Sequence, residues 1–308
     1  MHRPLRTLLC ASAAALAAAS ADAQQAPPSG DPVRQASAAG VKPQRPAAQA
    51  LQVDPRLEAV LQTWGERSGR VKKLSGNHKR FIYQNANGAE RRSVGAFAFQ
   101  SPDKGMLRIL PDKTVKPDAK SVRKGPDGQP LRVLADDVEQ WVCDGEQILQ
   151  MEVGFDGKQY SRIEIPPRMR GENIIQGPLP FLFGVSAKTL KQRYRMKLGD
   201  KHTWQPGGQS GVVHVIAYPL RKVDAQTWQK ADVLLDGRTF LPTAIRMMDG
   251  QDQWASETVY LFDPATLKVN ERQWIWKADP FKPSLRGWTL IENHVADEDK
   301  LREMTPQR

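Results

Sequence analysis

The chain is poor in cysteine: its 308 residues include only Cys10 and Cys143. If a leader is cleaved after Ala23 only Cys143 remains, so no intramolecular disulfide can staple the mature chain and a hydrophobic core must hold it together. HExxH and CxxC spacings are missing, as is any tight acidic cluster, so the sequence offers no metal motif and implies no cofactor. No apolar run approaches the roughly 20 residues that a membrane-spanning helix needs. No repeat of fixed period appears, which argues against a solenoid.

What is present begins with an export signal. Arg3 and Arg6 precede an apolar run from Leu8 to Ala19, and Ala21-Asp22-Ala23 reads as a cleavage site. Residues 1–23 are expected to be a signal peptide and the mature protein to be soluble and periplasmic or otherwise exported. Cys10 follows Leu8-Leu9 without the small residue that precedes a lipid-modified cysteine, so no lipoprotein anchor is expected. Removing Arg3, Arg6 and Asp22 takes the formal charge from +11 to +10. After export such a surface suits transient contact with anionic lipid or envelope polysaccharide, or serves only solubility; nucleic acid is not an expected partner. The sequence carries no signal for oligomeric state.

Residues 24–52, rich in Ala, Pro and Gln, lack the large apolar side chains that would offset the entropy of ordering, and read as a disordered leader. Asp54-Pro55 is an N-cap followed by an N1 proline. Leu57, Val60, Leu61 and Trp64 then share one face of a helix that Gly65 and Gly69 weaken and end. From about Asn77 the period changes to two. Phe81 and Tyr83 alternate with Arg80 and Gln84, Asn87-Gly88 marks a turn, and Val94 to Phe99 returns as a strand. Met106–Leu110 is another strand, and Pro111–Pro130 a loop excursion. Two Asp-Gly corners divide a meander from Val138 to Ile165. Ser186 can cap a short helix through Lys191, and strands resume from Val212 to Glu292, one of them over Asn270–Trp276. The expected fold is mainly β: a curved antiparallel sheet forming an incomplete barrel, with one or two helices and a lid loop on its concave side, as a single domain over residues 53–296 with a polar tail at 297–308.

The lid is the segment Gly177–Gly184. Its prolines and glycines forbid ordinary helix or inner strand, yet it carries Phe181, Leu182 and Phe183. It either covers an apolar cavity or plugs the domain's own core. Alternation puts Phe97, Phe99, Leu107, Ile109, Trp141, Cys143, Leu149, Met151, Val153, Ile163 and Ile165 on one apolar face. Arg108, Gln150, Glu152, Arg162 and Glu164 take the other. A single amphipathic helix is narrow for that width, so the C-terminal strands fill the gap or room remains for an apolar guest.

Catalytic constellations are sparse. Gly207-Gly208-Gln209-Ser210-Gly211 misses the G-x-S-x-G spacing, because Val212 stands in the last place. His214 lies among valines and reads as a packed or edge histidine, and Cys143 as a half-buried structural thiol. Asp136 and Asp137 are adjacent and point apart on a strand. The reading is a binding protein rather than an enzyme, with an envelope sensor or scaffold whose core is filled, or an envelope enzyme acting on a lipid or glycan, as the alternatives.

The order of these features resembles the LolA-like superfamily of periplasmic lipoprotein carriers, and more narrowly a branch found mostly in planctomycete bacteria. It rests on the opening helix Leu57–Trp64, then Gly95-Ala96-Phe97-Ala98-Phe99-Gln100-Ser101-Pro102, Leu107-Arg108-Ile109, Trp141-Val142-Cys143-Asp144-Gly145 and Pro180-Phe181-Leu182-Phe183, and runs from about Asp54 to Asn293. The resemblance implies an incomplete barrel whose concave face holds acyl chains of lipid or lipoprotein beneath a lid. Phe97, Phe99, Leu107 and Ile109 would match inward positions and Phe181–Phe183 the lid. Carriers place an arginine immediately before the proline to tie the lid shut. Ser101 stands there in this chain, so the resemblance does not bring that gate with it.

Overall fold

The computed structural model describes residues 54–167, 170, 181, 186–199, 211–220, 222–225, 228–249, 256–272 and 278–295. The signal peptide, the leader, Leu182, Phe183, His202 and the C-terminal tail lie outside the described residues.

Helix α1 (Pro55–Gly69) starts where the capping chemistry places it: Asp54 accepts a hydrogen bond from the Arg56 amide at 2.9 Å. Its stripe buries Leu57, Leu61 and Trp64. Gly65 does not weaken the helix but lets it approach a neighbour, since a Cβ there would lie 2.9 Å from the Ala187 backbone nitrogen. Ala187 opens helix α2 (Ala187–Arg193), capped by Ser186, whose Oγ accepts from the Thr189 amide at 3.1 Å. Arg193, at the end of α2, pairs with Asp224 at 3.0 Å in the short helix α3 (Lys222–Ala225).

The strands are β1 (Lys73–Gln84), β2 (Ala89–Gln100), β3 (Lys104–Pro111), β4 (Lys120–Lys124), β5 (Pro130–Ala135), β6 (Val138–Cys143), β7 (Gln147–Gly154) and β8 (Gly157–Glu164). They continue with β9 (Tyr194–Leu198), β10 (Val212–Pro219), β11 (Lys230–Asp236), β12 (Pro242–Asp249), β13 (Ser256–Phe262), β14 (Lys268–Val269) and β15 (Thr289–Val295). They form one sheet ordered β15-β8-β7-β6-β3-β2-β1-β13-β12-β11-β10-β9, with β14 on β1, and β4 and β5 beside β2. Its end strands β15 and β9 do not pair with each other, so the sheet is an open, incomplete barrel, mainly β and mostly antiparallel as expected.

Three details depart from the sequence reading. β8 pairs with β15 and β2 with β5 in parallel, because long connections separate those partners and allow the chain to return in the same direction. The Pro111–Pro130 excursion holds β4, whose Arg123 stacks 3.7 Å over the Tyr83 ring and pairs with Glu257 at 2.9 Å. The strand expected over Asn270–Trp276 is absent at its start: β14 ends at Val269, and Asn270 adopts positive φ while its side chain accepts from the Lys72 and Lys73 amides. Residues 273–277 lie outside the described ones.

Candidate functional site

Register pairs fix which side chains share a face. Gly76 stands opposite Phe97, Phe97 opposite Leu107, Leu107 opposite Trp141, and Trp141 opposite Gln150. Phe99, Ile109, Tyr260, Phe262, Ile245, Val233, Val215, Met196 and Tyr194 follow on the same side, here the Phe97 face. Apart from the stretch that carries His78, Arg80, Arg91, Ser93 and Thr258 it is apolar from β9 to β3, and across β6 to β8 Glu139, Gln150, Glu152 and Ser161 join Trp141, Ile148 and Ile163 on it.

Leu149 and Met151 correct the single-face expectation. Leu149 pairs with Val142 and Met151 with Gln140, which places both on the opposite side. They pack there with Ala98, Met106, Val142, Tyr160 and Phe281 in a second core, against which Leu285 and Trp288 lie. The cause is the β6–β7 turn. It pairs Cys143 with Ile148, a register one residue different from that expected, which exchanges the faces of β7, while β8 keeps its expected sides with Ile163 on the Phe97 face and Arg162 and Glu164 opposite. Gln150 and Glu152 therefore join the Phe97 face, while Val153 moves to the Leu149 face.

Strand β1 is inverted in the same way. Phe81 and Tyr83 lie on the Leu149 face, shielded by Arg92 and Arg123 respectively, while Leu74, His78, Arg80 and Ile82 point to the Phe97 face and are buried. The flanking Leu74 and Ile82 share parity with Arg80. That was the available signal, but two aromatics outweighed it.

Arg80 is the hub of a buried ionic group. It donates to Asp136 at 2.9 Å, to Glu139 at 3.0 Å and to Ser93 at 3.3 Å, and it bonds the Tyr260 hydroxyl. Trp141 donates from its indole to the second Glu139 oxygen at 2.8 Å, and Arg91 reaches Asp136 at 3.8 Å and Asp137 at 3.2 Å. Burial pushes the Tyr260 phenol up against the lowering pull of Arg80. Burial, with Glu139 and Asp137 adding to it, also pushes the Glu152 carboxyl up.

His78 sits beside this group, 2 % exposed, with ring centroids of Tyr260, Phe97 and Phe262 at 5.8, 6.4 and 6.4 Å. Neither ring nitrogen has a hydrogen-bond partner among the described residues. Burial, reinforced by the Arg80 charge, pulls its pKa down to about 3, so the ring is neutral near pH 7. An unmet buried polar group costs about 1–3 kcal/mol. The place for the ring is made by Gly95 opposite, where a Cβ would lie 2.7 Å from His78 Cε1 and 1.9 Å from the Arg108 carbonyl oxygen.

The other expected residues fall as follows. Phe97, Phe99, Leu107, Ile109 and Trp141 are all buried on the Phe97 face. Phe181 is buried too and packs 5.2 Å from Tyr194 and 5.7 Å from Trp228 at the β9 edge of that face; it is helical, not on the loop expected of Gly177–Gly184, whose other residues lie outside the described ones. Cys143 is buried and donates to the Asp103 carbonyl at 3.2 Å; burial lifts its thiol to about 11, as suits an inert structural cysteine. His214 is buried on the Leu149 face, and its Nε2 meets Asp232 at 3.0 Å. The other Asp232 oxygen takes Arg246 at 2.6 and 2.9 Å. Burial pushes the Asp232 carboxyl up, but the hydrogen bond to His214 and the Arg246 charge outweigh it and hold the pKa at about 2. Among the described residues no group of three or more His, Cys, Asp or Glu could hold a metal ion, and no helix is long and apolar enough to cross a membrane.

No family model and no curated protein matches the chain. Among solved structures it is similar to a domain from Vibrio parahaemolyticus assigned to outer membrane lipoprotein sorting, at 13% identity and TM-score 0.35 over 70% of this chain and 93% of that one. It is similar to a LolA superfamily protein from Nitrosomonas europaea at 8% identity and TM-score 0.31, over 70% and 94%. It is also similar to a chain of the MucA/MucB complex of Pseudomonas aeruginosa at 14% identity and TM-score 0.33, over 70% and 59%. With TM-scores below 0.5 these are likenesses of strand arrangement, and nothing about ligand, partner or activity is drawn from them.

Proposed function

We propose that the protein is a periplasmic binding protein or carrier for lipid or lipidated protein, holding acyl chain against the Phe97 face beneath the segment that carries Phe181. The supporting observation is the largely apolar Phe97 face from β9 to β3. Phe97, Phe99, Leu107 and Ile109 line it, and Phe181 is buried at its β9 edge. Each methylene buried there contributes about 0.8 kcal/mol, so ten carbons supply roughly 8 kcal/mol before the entropy of association. The chemistry needed is burial and orientation, with no bond made or broken. A second reading, an envelope sensor or scaffold, is favoured by one fact: Phe97, Phe99 and Ile109 are already closed to solvent, as in a filled core.

Phe181→Asp separates the two. On the carrier reading the variant keeps the wild-type far-ultraviolet circular dichroism, with a melting transition lowered by the charge placed against Tyr194 and Trp228, and loses most of the lipid that copurifies with the protein. Unfolding of the variant would make Phe181 part of an ordinary core and support the scaffold.

A further inference from the structure

We propose that His78 is the polar anchor of the acyl site, its neutral imidazole donating a hydrogen bond to the carbonyl of an ester or amide at the head of the bound chain. This rests on the reading of the Phe97 face as an acyl-binding surface and names the head group that the surface accepts.

A neutral imidazole has one N–H and one lone pair, and a buried one ordinarily satisfies both within the protein. His78 satisfies neither, although hydrogen-bonding groups lie nearby. Arg80 is committed to Asp136, Glu139, Ser93 and Tyr260, and the rings that border His78 are Phe97, Tyr260 and Phe262. The ring is lodged against Gly95, where any larger residue would displace it. A polar group is thus maintained in apolar surroundings at the cost of its hydrogen bonds, on the same side as the candidate acyl contacts.

Its position suits a head group. Within the register rows His78 stands opposite Gly95, then Ile109, then Glu139, then Glu152. It therefore marks where the apolar surface gives way to the polar strip. Charge selects the kind of head: Asp136, Asp137, Glu139 and Glu152 gather there against the guanidinium groups of Arg80 and Arg91. A carboxylate or phosphate entering this region meets an excess of negative charge, whereas an uncharged carbonyl does not. With no formal positive charge on the ring, His78 recognises the carbonyl as a plain hydrogen-bond donor. An ester and a secondary amide each offer the carbonyl oxygen that the single ring N–H recognises.

The experiment titrates full-length mature protein, wild type and His78→Phe, with methyl palmitate, N-methylpalmitamide, palmitate and hexadecane, read by native mass spectrometry. Wild type is expected to take the ester and the amide about tenfold more tightly than palmitate or hexadecane, and His78→Phe to bind all with the affinity of hexadecane. The ester and amide arms tell a glycerolipid head from an N-acylated protein. Equal binding of every probe to wild type, or a head-group preference that survives in His78→Phe, overturns the anchor and leaves the acyl surface standing. Failure of wild type to bind any probe overturns the acyl reading and the anchor together. Nitrogen NMR of wild-type His78 decides independently of how the variant folds: the ring resonances shift on adding the preferred probe, and unmoved resonances with probe bound refute the contact.

Discussion

His78 and His214 are both buried in strands of one sheet, on opposite faces, and each is lodged against a glycine: His78 on Gly95, His214 on Gly199. Around His214 the chain supplies a full ionic network from adjacent strands, Asp232 on β11 and Arg246 on β12, with Lys230 3.4 Å from the same carboxylate. Around His78 it supplies aromatic rings and turns the nearby ionic group toward itself. The sheet satisfies one nitrogen of His214, leaving its Nδ1 without a partner among the described residues, and neither nitrogen of His78. One ring is tied into an ionic network; the other is held by packing against aromatic rings.

The largest effect that would sharpen the contrast is at Asp232. Asp232→Asn removes the charge that compensates Arg246, and breaking a buried ion pair from one side costs about 3–5 kcal/mol, measured as a lowered urea midpoint. The wild-type carboxyl, held at about 2 against an ordinary 3.8, contributes stability that is complete above pH 3.8 and is lost as the pH falls toward 2; the variant lacks this acid loss. A change below about 1 kcal/mol would reduce the network to surface strength.

Next come the two glycines. Gly199→Ala places a Cβ 2.0 Å from His214 Nδ1, with no contact but the ring among the nearest atoms, and should destabilise by about 1–3 kcal/mol. Adding His214→Ala should recover part of that loss. Gly95→Ala meets the Arg108 carbonyl oxygen at 1.9 Å as well as the His78 ring, so His78→Ala should not rescue it. Rescue at Gly95, or none at Gly199, would reverse the packing assignment of the two rings.

Near neutral pH the smallest effect is the titration of His78. Its pKa falls from 6.5 to about 3 on folding, so the unfolded chain takes up the proton first. Its contribution is complete above pH 6.5, and stability declines as pH is lowered from there toward 3, by up to about 1.4 kcal/mol per unit. Urea midpoints of wild type and His78→Phe should diverge in slope over that range; parallel curves would mean that the ring is protonated without penalty and is not enclosed as described.

Local signals were legible in the sequence where the chemistry was local. The Asp54 and Ser186 caps and the strand turns at Asn87-Gly88 and Asp144-Gly145 are set by one or two residues, and the structure uses each of them. The open, mainly β sheet followed from the density of such turns. The face of each strand was less legible, because it depends on register across partners distant in sequence. Phe81 and Tyr83 misled on β1, where arginines cover them from outside, and Leu149 and Met151 misled on β7, where Phe281 forms a core on the second face. The ionic groups were illegible for the same reason: Arg80 and Glu139 are 59 residues apart and meet through β2 and β3.

The central claim is that the Phe97 face carries acyl chain. Gently purified wild-type protein, extracted with organic solvent and analysed by mass spectrometry, should release close to one acyl lipid per polypeptide. Extracts holding only trace lipid, from protein that also takes up none when it is supplied, would contradict the account and leave the face as a filled core.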